Sequence, residues 1–244
     1  MFRSKFIAAA AVVALAGGAA TIGAAASDAA TPSCGSNCVN IFPRIYSGTT
    51  LNAPQYVLDV LRQGAKVGQP IILFRGSNTD PAEDFKYSVQ GTVSDFYGAG
   101  LVSAQVALHY GCHRTRRGPV CVAAQDDIAY EIEYEPYGVA SGLCVGLAAT
   151  ASQNEGVTLQ PCGVSAKSVW IEDANPGDNP IPPYYAGINA SDTNFSQPFV
   201  LTYPASGFPT DRPRPQVRVA NLTGFSANVE NDNQLWTGVQ EVLP

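Results

Sequence analysis

Along this chain the apolar residues come in short runs bounded by turn residues. "PIILF" (70–74), "KYSVQGTV" (86–93), "LVSAQVALHY" (101–110) and "IAYEIEYEP" (128–136) are of strand length, and several alternate. In the last, Tyr130, Ile132 and Tyr134 point one way and Glu131, Glu133 and Glu135 the other. This predicts a half-buried strand with a solvated acidic face that discourages edge pairing, the alternative being a cation site. "LNAPQYVLDVLRQG" (51–64) resists a single reading. As a helix it has Asn52 as cap, Pro54 in the first turn and Gly64 as terminator, with Tyr56, Val57, Val60 and Leu61 on one face. As a strand, Tyr56, Leu58 and Val60 alternate against Val57, Asp59 and Leu61. The local pattern leans slightly to the helix.

A repeat reverses that lean. "VLDV…PIILFRG…EDF" (57–85) lies parallel to "CVGL…VTLQPCG…SVW" (144–170). Leu73 and Leu159 end the apolar runs, Gly76 and Gly163 close them, and Phe85 and Trp170 finish each unit. A looser third copy runs from "FVLTY" (199–203) through "QVRVANLTG" (216–224) to "NQLWT" (233–237), stretched by the Pro-rich "GFPTDRPRP". Extra sequence, about 94 to 128, follows the first copy. Three copies predict three lobes sharing one core, because a single lobe cannot bury its own apolar face.

In this order and spacing the chain resembles the ricin-type β-trefoil lectins. Their lobes carry Cys-Leu-Asp-Val, a Gly-containing turn, a strand ending in an aromatic and Cys, then Gln-x-Trp. Lobe two supplies "LCV", "LQPC" and "SVW", lobe three "NQLW", and lobe one "LDV" and "LF". The resemblance implies an all-β fold: a β-trefoil with three divergent lobes and loop insertions over 47–244, the lobes at about 47–128, 129–190 and 191–244. Residues 27–46 are then an irregular lead-in, and 54–62 a strand.

A sugar site of that family needs a carboxylate that accepts two hydroxyls in charge-assisted hydrogen bonds. It also needs an aromatic ring for the apolar face of the pyranose, and an amide or second acceptor near Gln-x-Trp. Lobe two has Gly146 for the carboxylate and Gln160 for the ring. Lobe three has the amides Asn233 and Gln234, but Thr202 near the carboxylate position and Val219 near the aromatic one. Lobe one keeps Asp59 as carboxylate and Phe74 as ring, with Asn78 and Glu83 in the following loop. An ionised Glu83 can only accept. The competing reading has Asp59 capping a turn and Phe74 filling a core gap. The resemblance thus implies non-enzymatic recognition, with weak binding of a glycan or cell-surface polysaccharide through lobe one. The alternative is a trefoil that has lost sugar binding and acts on a protein partner, as an interaction or inhibitor module.

Composition narrows the rest. Gly and Pro number 23 and 18 in 244 residues, so turns are frequent and long helices few. The net charge of −6 argues against a sequence-independent grip on nucleic acid, which needs clustered cations. Arg3 and Lys5 precede the uncharged "FIAAAAVVALAGGAATIGA", and Ala24-Ala25-Ala26 offers small residues for cleavage. Residues 1–26 therefore read as a secretory signal peptide, with an uncleaved anchor as the rival. The mature protein is expected to be secreted and extracellular, with no membrane span after cleavage.

All six cysteines follow that segment, and their even count and local spacing suit the disulfides Cys34–Cys38, Cys112–Cys121 and Cys144–Cys162. Zinc is the alternative, but there is no Cys-x-x-Cys pair and the chain has only two histidines. The resemblance matches Cys144 and Cys162 to a within-lobe disulfide and Trp170 to an anchor under the lobe. Closing that loop stabilises the fold by about 3 kcal/mol in the chain-entropy estimate.

His109 and His113 flank Cys112, but "QVALHY" alternates like a strand, which would leave the two rings poorly placed for a metal. No metal and no cofactor is expected. "CHRTRRGPVC" (112–121) is the one dense basic patch, either a contact for an anionic polymer or a solvated loop. No hydrolase or phosphate-binding motif is present. Asn189, Asn194 and Asn221 head glycosylation sequons, which matter only in a eukaryotic host.

Overall fold

The computed structural model describes residues 38–46, 56–77, 79–115, 118–121, 127–173, 184–204, 214–223 and 232–240. Its strands in chain order are β1 (Val39–Pro43), β2 (Tyr56–Val60), β3 (Ile71–Arg75), β4 (Phe85–Thr92), β5 (Cys112–Thr115), β6 (Gly118–Cys121) and β7 (Ile128–Tyr134). There follow β8 (Leu143–Leu147), β9 (Val157–Pro161), β10 (Trp170–Asp173), β11 (Ala186–Asn189), β12 (Phe199–Thr202), β13 (Arg218–Asn221) and β14 (Trp236–Gln240). Two short helices, α1 (Val93–Gly98) and α2 (Ala104–Tyr110), stand between β4 and β5. The ambiguous segment 51–64 thus contains a strand, β2, as the repeat requires.

One set of strands closes into a barrel. β14 pairs with β1, β1 with β4, β4 with β7, β7 with β10 and β10 with β11. Tyr185, just before β11, completes the ring by exchanging two backbone hydrogen bonds of 2.9 Å with Trp236. The hairpins β2–β3, β8–β9 and β12–β13 are inserted between successive barrel strands. Bridges Pro70↔Thr158, Ile72↔Gln216 and Gly156↔Arg218 join each hairpin to the other two. A barrel capped by three mutually paired hairpins is a β-trefoil.

The core repeats with the lobes. Each hairpin points alternate residues inward: Leu58, Val60, Ile71 and Leu73 in lobe one, Val145, Leu147, Val157 and Leu159 in lobe two, and Leu201, Tyr203, Val217 and Val219 in lobe three. All are buried in one cluster, and each large apolar side chain withdrawn from water contributes about 1.5–3 kcal/mol. Trp170 and Trp236 anchor lobes two and three, donating their indole N–H groups to the Val145 and Leu201 carbonyls at 2.8 Å. Phe85 holds the same place in lobe one, and has no such proton to donate.

Several expectations need correction. Residues 27–46 are not irregular throughout, because β1 lies within them and pairs on both sides. The third four-strand unit opens at Ala186 rather than 191. "QVALHY" is helix α2, not a strand. Ser103 caps it by accepting from the Val106 N–H at 3.2 Å, and Val106, Ala107 and Tyr110 meet Ile171, Ile188 and Val200 along one face. His109 is stacked on Phe195, with ring centroids 4.4 Å apart.

The acidic face of β7 is only partly solvated, with Glu131 and Glu135 buried and Glu133 half-buried, and β7 has no open edge for them to protect because it pairs with β4, β10 and β8. Glu131 is fully buried and accepts from the Gly163 N–H and the Ser168 hydroxyl. Glu133 accepts from the Gly142 N–H, and Glu135 pairs with Lys86 at 3.7 Å. Glu131 and Glu133 thus pin loops.

Cys144 and Cys162 form a disulfide with Cα atoms 5.0 Å apart. Cys38 is disulfide-bonded, and Cys34 lies outside the described residues. Cys112 and Cys121 face each other across β5–β6, their side chains outside the described residues, as are those of the basic loop. Residues 1–26 lie outside as well. Among the described residues no helix is long and apolar enough to cross a membrane.

Candidate functional site

The hairpin register decides what each lobe presents outward. In β2–β3, Asp59 lies opposite Ile72 and Val57 opposite Phe74. Residues opposite one another share a face, as do residues two apart. Asp59 and Phe74 are therefore on one face, turned away from Leu58 and Leu73. They line a cavity of about 540 Å³, together with Leu61, Arg62, Gln63, Ile72, Asp80, Ala82 and Arg214.

Asp59 does not cap a turn, and Phe74 is not enclosed in the core. Asp59 is 4% exposed yet accepts no hydrogen bond among the described residues, so it caps no turn. Burial is the main cause that pushes its carboxyl up to about 7; Asp80 adds to the rise and Arg214 opposes it. Phe74 is half-buried, and Arg214 lies over its ring with the guanidinium carbon 3.3 Å from the centroid. One face of the ring is thus covered by a cation. Arg214 comes from the Pro-rich insertion of lobe three, and sequence reasoning missed it. No local pattern in the sequence could have found it, since it is the bridge of Ile72 to Gln216 that brings that insertion to lobe one.

The turn after β3 supplies the remaining acids. Asp80 caps the short turn Pro81–Glu83, its Oδ1 accepting from the Ala82 N–H at 3.0 Å and the Gln63 amide at 2.9 Å. Arg62 and Gln63 both have left-handed backbones, with φ of 59° and 54°. Two successive non-glycine residues in that region store strain, here at the mouth of the cavity. Glu83 stands two residues before Phe85, at the Gln position of Gln-x-Trp. It is fully buried, and its Oε2 accepts from the Ser77 N–H at 2.7 Å. Asn78 lies outside the described residues. Asp84, next along, is pushed up to about 6 by burial, opposed by the Tyr137 N–H that its carboxylate accepts at 2.8 Å.

The same place in the other lobes is filled. In lobe two Gly146 replaces Asp59, and a Cβ there would come within 2.8 Å of the Lys167 carbonyl and 3.0 Å of the Ser168 Cα. The turn Ala166–Ser168 occupies the space a side chain would need. In lobe three Thr202 replaces Asp59, and the buried Gln234 amide donates to its hydroxyl at 3.1 Å. Asn233 donates to the Tyr203 carbonyl instead. Val219 does not hold the aromatic position, because it pairs with Leu201 in the core; Ala220 takes the outward place of Phe74. Asn189 is fully buried with its amide on the Lys167 carbonyl, so its sequon is inaccessible in the folded chain.

No family model matches the chain, and no curated protein matches it in sequence. Solved structures do match. A designed three-fold symmetric protein, ThreeFoil, superposes with a TM-score of 0.51 at 13% identity, over 84% of this chain and 99% of its own. A mosquitocidal holotoxin matches with a TM-score of 0.48 at 10% identity, over 84% of this chain and 17% of its own. The botulinum neurotoxin serotype D ligand binding domain, in complex with N-acetylneuraminic acid, matches with a TM-score of 0.41 at 10% identity, over 86% and 43%. The chain therefore spans less than half the length of those two toxin chains. At such low identity the likeness to ThreeFoil speaks for the fold alone: the chain is a β-trefoil.

Proposed function

We propose that this is a secreted, non-enzymatic recognition protein, a divergent relative of the ricin-type lectins that binds a glycan weakly through lobe one. One observation carries this reading. Among the described residues, lobe one alone of the three has a carboxylate and an aromatic ring on the same hairpin face, beside an open cavity. Asp59 would accept two sugar hydroxyls, and the uncovered part of Phe74 would meet the apolar face of the ring. Glu83 backs the site from the Gln-x-Trp position. The test is binding of the oxidised protein to a broad glycan panel, beside Asp59→Ala. Recognition requires the ionised carboxylate, so affinity is expected to rise as pH increases through about 7. An affinity indifferent to pH between 6 and 8 would count against Asp59 as the acceptor.

A second reading has its own support. Arg214 over Phe74 occupies a surface on which a sugar would stack. A trefoil whose ring is covered in this way would act on a protein partner instead. Arg214→Ala separates the two, since uncovering the ring strengthens glycan binding under the first reading and leaves it absent under the second.

A further inference from the structure

We propose that the floor of the lobe-one cavity is a divalent-cation site, in which Asp59, Asp80 and Glu83 each give a carboxylate oxygen to one ion. The inference goes beyond the sugar reading, because the ion would bind with or without a glycan. One oxygen from each residue lies within 4.8 Å of the others. Two ligands of a single ion can be that far apart when each sits at about 2.4 Å, within the range at which Ca²⁺ takes oxygen. Ca²⁺ takes oxygen ligands in flexible geometry, which suits carboxylates drawn from a strand and a turn.

Acidic clusters are common on protein surfaces, but here one member faces the cavity buried and without a hydrogen-bond partner. Asp59 is 4% exposed, lines the cavity and accepts no hydrogen bond among the described residues. Burial opposes the ionised form of Asp59, and a bound cation would offset that penalty.

The other two ligands are already oriented. Asp80 is held through Oδ1 by the Ala82 N–H and Gln63, which leaves Oδ2 for the ion. Glu83 is held through Oε2 by the Ser77 N–H. The Arg214 guanidinium rests on the Phe74 ring and offsets the charge at Asp59 only in part. The site thus has hard oxygen donors, a fixed second layer and a deficit of positive charge.

Calcium chloride is titrated calorimetrically into the chelator-treated, oxidised protein with no sugar present, and melting is followed with and without calcium. The expected result is one ion per chain and a raised melting temperature, with Asp59→Asn and Glu83→Gln each weakening binding at least about tenfold. Absence of heat and of any melting shift at millimolar calcium would overturn the proposal. Wild-type binding by both variants would overturn it too, by placing the ion elsewhere. Should either variant fail to fold, Asp80→Asn and the wild-type titration decide the matter. No glycan enters this experiment, so its failure would leave the lectin reading intact, and a silent glycan panel would leave the cation site intact.

Discussion

Lobes one and two are built on the same hairpin register, yet one holds an open cavity and the other is packed shut. The difference begins at a single outward position, Asp59 in one and Gly146 in the other. With no Cβ at 146, the turn Ala166–Ser168 moves into the vacant space. It is then tied down by the Asn189 amide on the Lys167 carbonyl and by Ser168 on the buried Glu131. In lobe one the corresponding turn, Pro81–Glu83, leaves room beside Asp59 and turns its own acids toward it. Where the carboxylate is absent the lobe is packed shut, and where it is present its ionised form is opposed by burial.

The largest effect belongs to the anchors. Trp170→Ala is expected to cost about 3–5 kcal/mol, the usual range for emptying a large aromatic site. Phe85→Ala should cost less, because no indole hydrogen bond is lost with it. Denaturant unfolding of both variants checks this, and equal losses would mean that the bond from Trp170 to the Val145 carbonyl adds nothing.

Restoring the carboxylate in lobe two is the next step down. Gly146→Asp is expected to destabilise by about 1–3 kcal/mol, as overpacking does, and to create no sugar site. A variant that kept full stability and gained binding would show that the closure of lobe two is soft.

Asp59→Asn probes the cost of the open lobe. The folded chain holds the Asp59 proton up to about 7, whereas the unfolded chain releases it near 3.8. The folded state therefore binds more protons between those values, and stability falls as pH rises through that window, then levels off. Asp84 follows the same direction up to about 6 but is present in both proteins and cancels. The variant should melt above wild type at pH 8, by something on the order of 1–3 kcal/mol, with the gain shrinking toward pH 4. A difference independent of pH would contradict this, and so the burial of the Asp59 carboxyl. The smallest effect is that of Arg214→Ala, about 0.5–1 kcal/mol for an accessible cation–π contact, measured by thermal melting.

Much of this was legible in the amino-acid order, and the failures have physical causes. Leu58, Leu73, Leu159 and Trp170 could be placed because inward positions repeat with the lobes. Asp59 and Phe74 were reached through the resemblance to the ricin-type lobes, and the strand period of two puts them on one face. Helix α2 was misread because its apolar residues also alternate, while the deciding signals, the Ser103 cap and Gly111, are single residues. The burial of Glu131 was hidden because alternation reports only one packed face, and the other is covered at Glu131 by a turn far along the chain, through Gly163 and Ser168. β1 is too short to stand out before its partner β14 is known. Arg214 was out of reach for a different reason: it acts on Phe74 across a bridge between hairpins, far away in the chain.

The central claim is that lobe one, through Asp59, is the lobe that recognises a glycan. The most direct measurement is the glycan panel read with wild type and Asp59→Ala side by side, with melting curves as the control for folding. The expected result is weak, selective binding that disappears in Asp59→Ala without loss of the folded state. Binding retained by Asp59→Ala, or no glycan bound by the wild type at any pH from 6 to 8, would contradict it.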